Sequence, residues 1–356
     1  CHGHDLKLVG HISPEDDPVE QANTISNLFP LQKHFDLCGI DLIIPAVGDR
    51  RHPLLNLGVI TAASVAQQCG KAGVMSESLG CSGNSFTAAK AVPILNWQTV
   101  MGMTTPVIHG AFSSVKGNRL IEAPPDFGPF SPRWTDMVRF TRHLPGVHAI
   151  LVGARQIAPV AILWPIRSFQ ADPTAWEADA GGLRGALTDL VLKCLEAQVG
   201  IHFVDEADLQ AARISHKTFA VGKATYSHLV IPDCLILHAR TLAAIQRARR
   251  HGVRVMRCGD DLRYLQNERG IRLVPAASLP KALTTDALVA RLPRLIKLGG
   301  VYAHDVRCSG WIKRGAKWLL LINIGGKRHT VLIGRRPFEL PAGSIVPVRL
   351  NSPRIR

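Results

Sequence analysis

The chain has 356 residues, 46% hydrophobic and 19% charged, which is enough apolar surface for two or three packed domains and excludes a disordered chain. No apolar run reaches the roughly 18–20 residues of a membrane-spanning helix, so no membrane span is expected. The formal charge of +15 is uneven: residues 1–150 hold 11 Lys and Arg against 12 Asp and Glu, and the remainder holds 31 against 15.

A basic half suggests an anionic partner. Its charges are spread through QRARRHGVR, LPRLIKLGG and GRRPFELP rather than gathered in one aromatic-interleaved motif, so nucleic-acid binding is not expected. Eight cysteines include no CxxC pair, which argues against a zinc ribbon or a thioredoxin-type site and for buried thiols suited to a reducing interior. The chain opens with Cys1 rather than Met, without a basic-then-apolar leader, and reads as processed or truncated.

In chain order, LKLVGHIS (6–13) and GIDLIIPAVGD (39–49) read as strands. The small-residue helix VITAASVAQQCGKA leads to the strand GVMSES, and the helix FTAAKAVPILNWQTVMG leads to PVIHGAFSS (106–114). The helix RWTDMVRFTRHL closes this part. Near-continuous apolar strands alternating with helices imply a parallel sheet covered by helices. The strands end in His11, Asp49, Glu77 and His109. In a (β/α) barrel such ends carry the active site, but four strand–helix units make only half of one.

A second α/β part follows. PVAILWPI (159–166), GIHFVDEADL, YSHLVIPDCLIL and GVRVMRCGDD read as strands, LRGALTDLVLKCLEAQV (183–199) and TLAAIQRARRHG as helices, with Gly252 as a C-cap. This predicts a flavodoxin-like, doubly wound domain. It carries no GxGxxG or GxxxxGK[ST], so no dinucleotide or P-loop site is implied. Cys234 lacks a nucleophile elbow and reads as a buried thiol. From about residue 298 short apolar runs alternate with Gly turns, which suits an antiparallel sandwich or part of one.

Glu77, delivered by an apolar strand to the small-residue exit SLGCSGNS, can serve as base or nucleophile if a second carboxylate faces it. The residues alone leave this even with a solvated loop glutamate. Glu15, Asp16 and Asp17 in GHISPEDD could hold a sugar hydroxyl or a cation. They read equally as an acidic helix N-terminus with Ser13-Pro14 as cap and first turn. Asp41 opens its strand and reads as a residue of the opposite, stability face. His2-x-His4 has the spacing of a metal-binding strand, but two ligands are too few for catalytic zinc, so no metal site is assigned. Trp97, Trp134, Phe112 and Phe130 could stack on sugar rings or simply fill core, and Arg119 could meet a substrate oxygen.

The segments LKLVGHISPEDD, FDLCGIDLI, ASVAQQCGKAGVMSESLGCSGNSF, LNWQTVMGMTTPVIHGAFSSVKGNRLIEAPPDFGPFSPRW and VAILWPIRSF, in this order, resemble the large bacterial α-L-rhamnosidase-type glycosidases, glycoside hydrolase family 106 and its relatives. The resemblance covers roughly residues 4–265. It is most specific at the Ser-Glu strand end, the helix with Trp97, and the run through His109, Arg119, Pro124-Pro125 and Trp134. It implies the C-terminal half of a TIM-barrel catalytic domain over 1–152, a flavodoxin-like (glutamine-amidotransferase-like) domain over 153–296 and a partial β-sandwich over 297–356. By the same resemblance Glu77 is the catalytic carboxylate and His11, Glu15, His109, Arg119 and Trp97 are substrate-binding. The substrate would be a glycan ending in α-L-rhamnose or a related sugar, hydrolysed with inversion.

Some members of that family bind Ca2+ near the sugar; no ligands for it are placed here. The acid is expected upstream of the GH segment, which makes a separate N-terminal barrel fragment an implied partner and leaves this chain alone inactive. Both the bacterial cytoplasm and export to the periplasm or medium remain open. The alternative reading is a non-catalytic carbohydrate-binding or assembly protein derived from such an enzyme.

Overall fold

The computed structural model describes residues 1–114, 116–121, 124–171, 182–259, 262–274, 279–299 and 304–350. Helices α1 (Pro18–Thr24) and α2 (Leu28–Gln32) precede β1 (Cys38–Leu42). They are followed by α3 (Leu55–Cys69), β2 (Val74–Ser78), α4 (Ala88–Met101), β3 (Thr105–Ile108) and α5 (Trp134–Leu151). The three strands form one parallel sheet in the order β1-β2-β3. The α3 helix presents Ala62, Ala63, Val65 and Ala66 to the core. It stops at Gly70, whose φ of 63° turns the chain while its N–H bonds Ala66 O.

Two expected strands are shorter than their apolar runs. Residues 6–13 contribute a single bridge, Val9 to Leu37, because the Leu8 N–H is taken by the Asp36 carboxylate at 2.7 Å. The strand expected over 39–49 ends at Leu42. Asp49 lies in the following loop, where its carboxylate accepts the Arg51 and His52 N–H groups. The helix cap also moves from Ser13-Pro14 to Asp17, whose Oδ1 accepts the Val19 N–H at 2.8 Å with Pro18 in the first turn.

Beyond α5, β4 (Arg155–Gln156) and β5 (Val160–Leu163) lead to α6 (Ile166–Ala171), α7 (Leu183–Glu196) and β6 (Ile201–Val204). A four-stranded parallel sheet runs Arg254–Arg257, His228–Ile231, β5, β6. Its three inner runs are buried throughout, as expected of strands covered on both faces. The outer edge of β6 is sealed by α3: Ser64 Oγ accepts the Phe203 N–H at 2.8 Å and Gln68 Nε2 donates to the Phe203 carbonyl at 2.7 Å. The run YSHLVIPDCLIL, expected as one strand, breaks at Pro232, which has no N–H for the ladder. Its second piece, Ile236–His238, joins another sheet beside Tyr264–Asn267.

The C-terminal antiparallel strands are present. Ile345–Leu350, Ala316–Asn323 and Val306–Lys313 form one sheet, and β4 completes its far edge; a second sheet holds Leu298–Gly299, His329–Ile333 and Arg336–Leu340. One continuous buried cluster joins β1 and α3 to β5, β6, α7 and Trp311. Trp164 sits within it, its ring 6.2 Å from Phe29 and 4.8 Å from Phe203.

Candidate active site

Strand periodicity builds the site. In β2, Ser76 and Ser78 point to the α4 side, where Ser78 Oγ donates to Gln98 Oε1 at 3.0 Å. Met75 and Glu77 therefore face the other way. Register carries this face across the sheet: Gly39 and Asp41 of β1 pair with Met75 and Glu77, and Val107 of β3 pairs with Glu77, with His109 two residues on. Asp41, Glu77 and His109 thus share one face at the C-terminal ends of three adjacent parallel strands.

The small-residue exit has a steric reason. Leu79 is buried in the left-handed region, φ 74°, and turns the chain off β2. A Cβ on Gly80 would lie 2.8 Å from Ile43 Cγ2 and 3.2 Å from His109 Nδ1. Glycine there leaves room for the imidazole beside Glu77.

Glu77 is held between two rings, with His109 Nδ1 3.1 Å from Oε1 and His11 Nε2 3.3 Å from Oε2. The other His11 nitrogen, Nδ1, is 3.2 Å from Glu15 Oε1, an oxygen that also accepts the Ile12 N–H at 2.9 Å. Burial pushes the Glu15 carboxyl up to about 7, against the pull of the His11 imidazole and of the Ile12 and Asp41 N–H groups. Burial also raises Asp41; His11 and His109 oppose the rise and the Glu77 charge adds to it. Asp41 Oδ1 is buried without a hydrogen-bond partner among the described residues. With side chains 31% and 44% exposed, Glu77 and His109 are open to a ligand.

The structure brings His11, Glu15, Glu77 and His109 together and adds Asp41. Reading Asp41 as a residue of the opposite face is incorrect: β1 begins at Cys38, so Asp41 is its penultimate residue, as Glu77 is of β2. Glu15, expected to touch substrate, is only 2% exposed and lies behind His11. Trp97, expected as a stacking surface, is fully buried in the core. Its ring fills the space beside Gly48, where a Cβ would come within 2.5 Å of it. Arg119 lies in the turn after β3 with its guanidinium 5.3 Å above the Phe112 ring. Phe130 and Trp134 are exposed. Cys234 is buried, and burial pushes its thiol well up.

His11, Asp41 and Glu77 place ligand atoms within 4.8 Å of one another. Calcium takes six to eight oxygen ligands, and one imidazole with two carboxylates, both rings already turned to Glu77, does not fit it. Of the sequence pair His2-x-His4, His4 is exposed and the His2 side chain lies outside the described residues.

No family model matches the chain, and no curated protein does. Solved structures do. A rhamnosidase from Novosphingobium sp. PP1Y aligns with a TM-score of 0.59 at 14% identity, over 91% of this chain and 34% of its own. A β-galactosidase from Rahnella sp. R3 aligns at 0.59 and 14%, over 93% and 64%, and one from Bacillus circulans sp. alkalophilus at 0.62 and 9%, over 90% and 61%. The chain is thus similar to solved glycoside hydrolases and has a mixed α/β, glycosidase-like fold. It spans from about a third to just under two thirds of their length. Among the described residues no helix is long and apolar enough to cross a membrane.

Proposed function

We propose that the chain is the C-terminal part of a glycoside hydrolase. In this reading residues 1–152 are the closing half of a (β/α)8 barrel, 153–296 a flavodoxin-like domain and 297–356 part of a β-sandwich. Glu77 is the catalytic carboxylate, and the substrate is a glycan with a terminal sugar, α-L-rhamnose first among the candidates. The observation that carries the reading is Glu77 at the C-terminal end of β2 between His11 and His109, the end at which barrel enzymes place their chemistry.

Glu77 then acts as the base: it takes a proton from a water molecule, whose oxygen attacks the anomeric carbon. An inverting pair of carboxyls stands about 6.5–9.5 Å apart to admit that water. Asp41, with oxygens within 4.8 Å of Glu77 on the same wall, is too near to be the opposed acid. The acid is contributed by strands other than these three.

Two exposed apolar rows fit that completion: Val107 is 46% exposed on β3, and Leu6 is 60% exposed beside β1. The same rows support the second reading, an assembly or carbohydrate-binding protein without turnover. The deciding experiment compares Glu77→Gln with the parent, in a protein that includes the remaining barrel strands, on aryl rhamnosides, galactosides and fucosides. A loss on the order of 10²–10⁴-fold is expected of a general base, with the rhamnoside preferred. Equal hydrolysis by both proteins removes Glu77 from the chemistry, and glycan binding without any turnover in the parent supports the second reading.

A further inference from the structure

We infer that Glu15 is a positioning residue that holds the His11 ring with its Nδ1–H turned inward, leaving Nε2 as the atom that exchanges a proton with Glu77. The inference rests on the reading of Glu77 as a base. Its ground is the line of three groups, Glu15 Oε1 to His11 Nδ1 at 3.2 Å and His11 Nε2 to Glu77 Oε2 at 3.3 Å, whose inner end is closed to solvent.

A neutral imidazole carries one N–H, and its surroundings choose which nitrogen holds it. Glu15 Oε1 already accepts the Ile12 N–H at 2.9 Å, so it meets His11 as an acceptor. Nδ1 is buried and has no other partner among the described residues. The hydrogen therefore belongs on Nδ1, and the Nε2 lone pair faces Glu77. These contacts are long for hydrogen bonds, as catalytic contacts often are before substrate tightens them.

The arrangement gives the base an outlet. As the water oxygen attacks the sugar, its O–H bond breaks and the electron pair stays on oxygen. The proton goes to Glu77 Oε2 and on to His11 Nε2, forming an imidazolium between two carboxylates. After product leaves, that proton returns to solvent through the exposed side of Glu77. Asp41 and Asp16 add negative charge around the ring, while His109 occupies the other oxygen of Glu77 and takes no part in the transfer. The rise of Glu15 to about 7 leaves it mostly ionised at pH 8, where the inward N–H has its best acceptor.

The test reads the ring directly and needs no hydrolysis. Nitrogen-15 spectra of the histidine rings are recorded at pH 8 for the parent, Glu15→Gln and Glu15→Leu, with His11 assigned by its loss in His11→Asn. The parent should show a protonated Nδ1. Glu15→Gln should keep it, because the amide oxygen still accepts, and Glu15→Leu should lose it in favour of the Nε2–H form. A parent with a bare Nδ1, or a Glu15→Leu ring unchanged from the parent, overturns the inference. If Glu15→Leu does not fold, the parent and Glu15→Gln spectra decide alone. A ring that responds as expected beside an active Glu77→Gln variant would retain the pairing and discard the hydrolytic reading.

Discussion

Asp41 and Glu77 stand side by side across the β1–β2 ladder, in parallel register and with oxygens within 4.8 Å. Two carboxyls this close oppose each other's ionisation, and burial falls first on Asp41. Its folded value lies above the model value of 3.8. The neutral form therefore contributes stability at pH below 3.8, and that contribution is lost as pH rises through the folded value. Asp41→Asn keeps the shape and removes the charge. Urea unfolding should show the variant gaining on the parent from pH 4 to pH 8; a difference constant with pH would refute the assignment.

Glu15 gives a larger effect of the same sign. Raised from 4.5 to about 7 and only 2% exposed, it favours the folded state fully below pH 4.5 and loses that contribution as pH rises through 7. At 1.36 kcal/mol for each pH unit, the loss is about 3 kcal/mol. Glu15→Gln does not titrate. The stability of the parent relative to Glu15→Gln should therefore fall by about that amount between pH 4.5 and pH 8, measured by chemical denaturation at fixed salt. Parallel curves for the two proteins would show that Glu15 titrates as an ordinary exposed glutamate.

Much of the site could be read from the sequence because period-two strands carry it. The run GVMSES ends an apolar stretch in one carboxylate, and the structure keeps Glu77 at that end. Asp41 was misread because its run continues apolar through Ile43 and Ile44, which hides a strand that stops at Leu42. Only pairing with β2 reveals that Asp41 and Glu77 are level. The depth of Glu15 was equally hidden: an acidic cluster beside a proline looks solvated, and nothing local says that Gly58 of α3 packs against it, 3.4 Å from a Cβ to the Glu15 Cβ. Trp97 occupies a helical position equally suited to core or cleft, and only the packing of Gly48 against its ring decides.

That packing makes Trp97 a residue of stability. Trp97→Ala should destabilise by about 3–5 kcal/mol, the range for deleting a buried aromatic ring. Trp97→Phe should cost less and leave KM for any glycoside unchanged. A rise in KM with unchanged unfolding would instead place the ring against substrate and contradict its burial.

Gly80 tests the exit loop. A methyl group there meets Ile43 at 2.8 Å and the His109 ring at 3.2 Å, and of the two the half-exposed imidazole is freer to move. Gly80→Ala should therefore displace His109 from Glu77 at an overpacking cost of about 1–3 kcal/mol. A displacement of that kind can lower turnover on the order of 10²-fold. The nitrogen-15 signals of His109 should change while those of His11, on the other side of Glu77, stay as in the parent. Should both rings remain unmoved and hydrolysis persist, the glycine serves only the turn after Leu79 and has no part in setting the distance between His109 and Glu77.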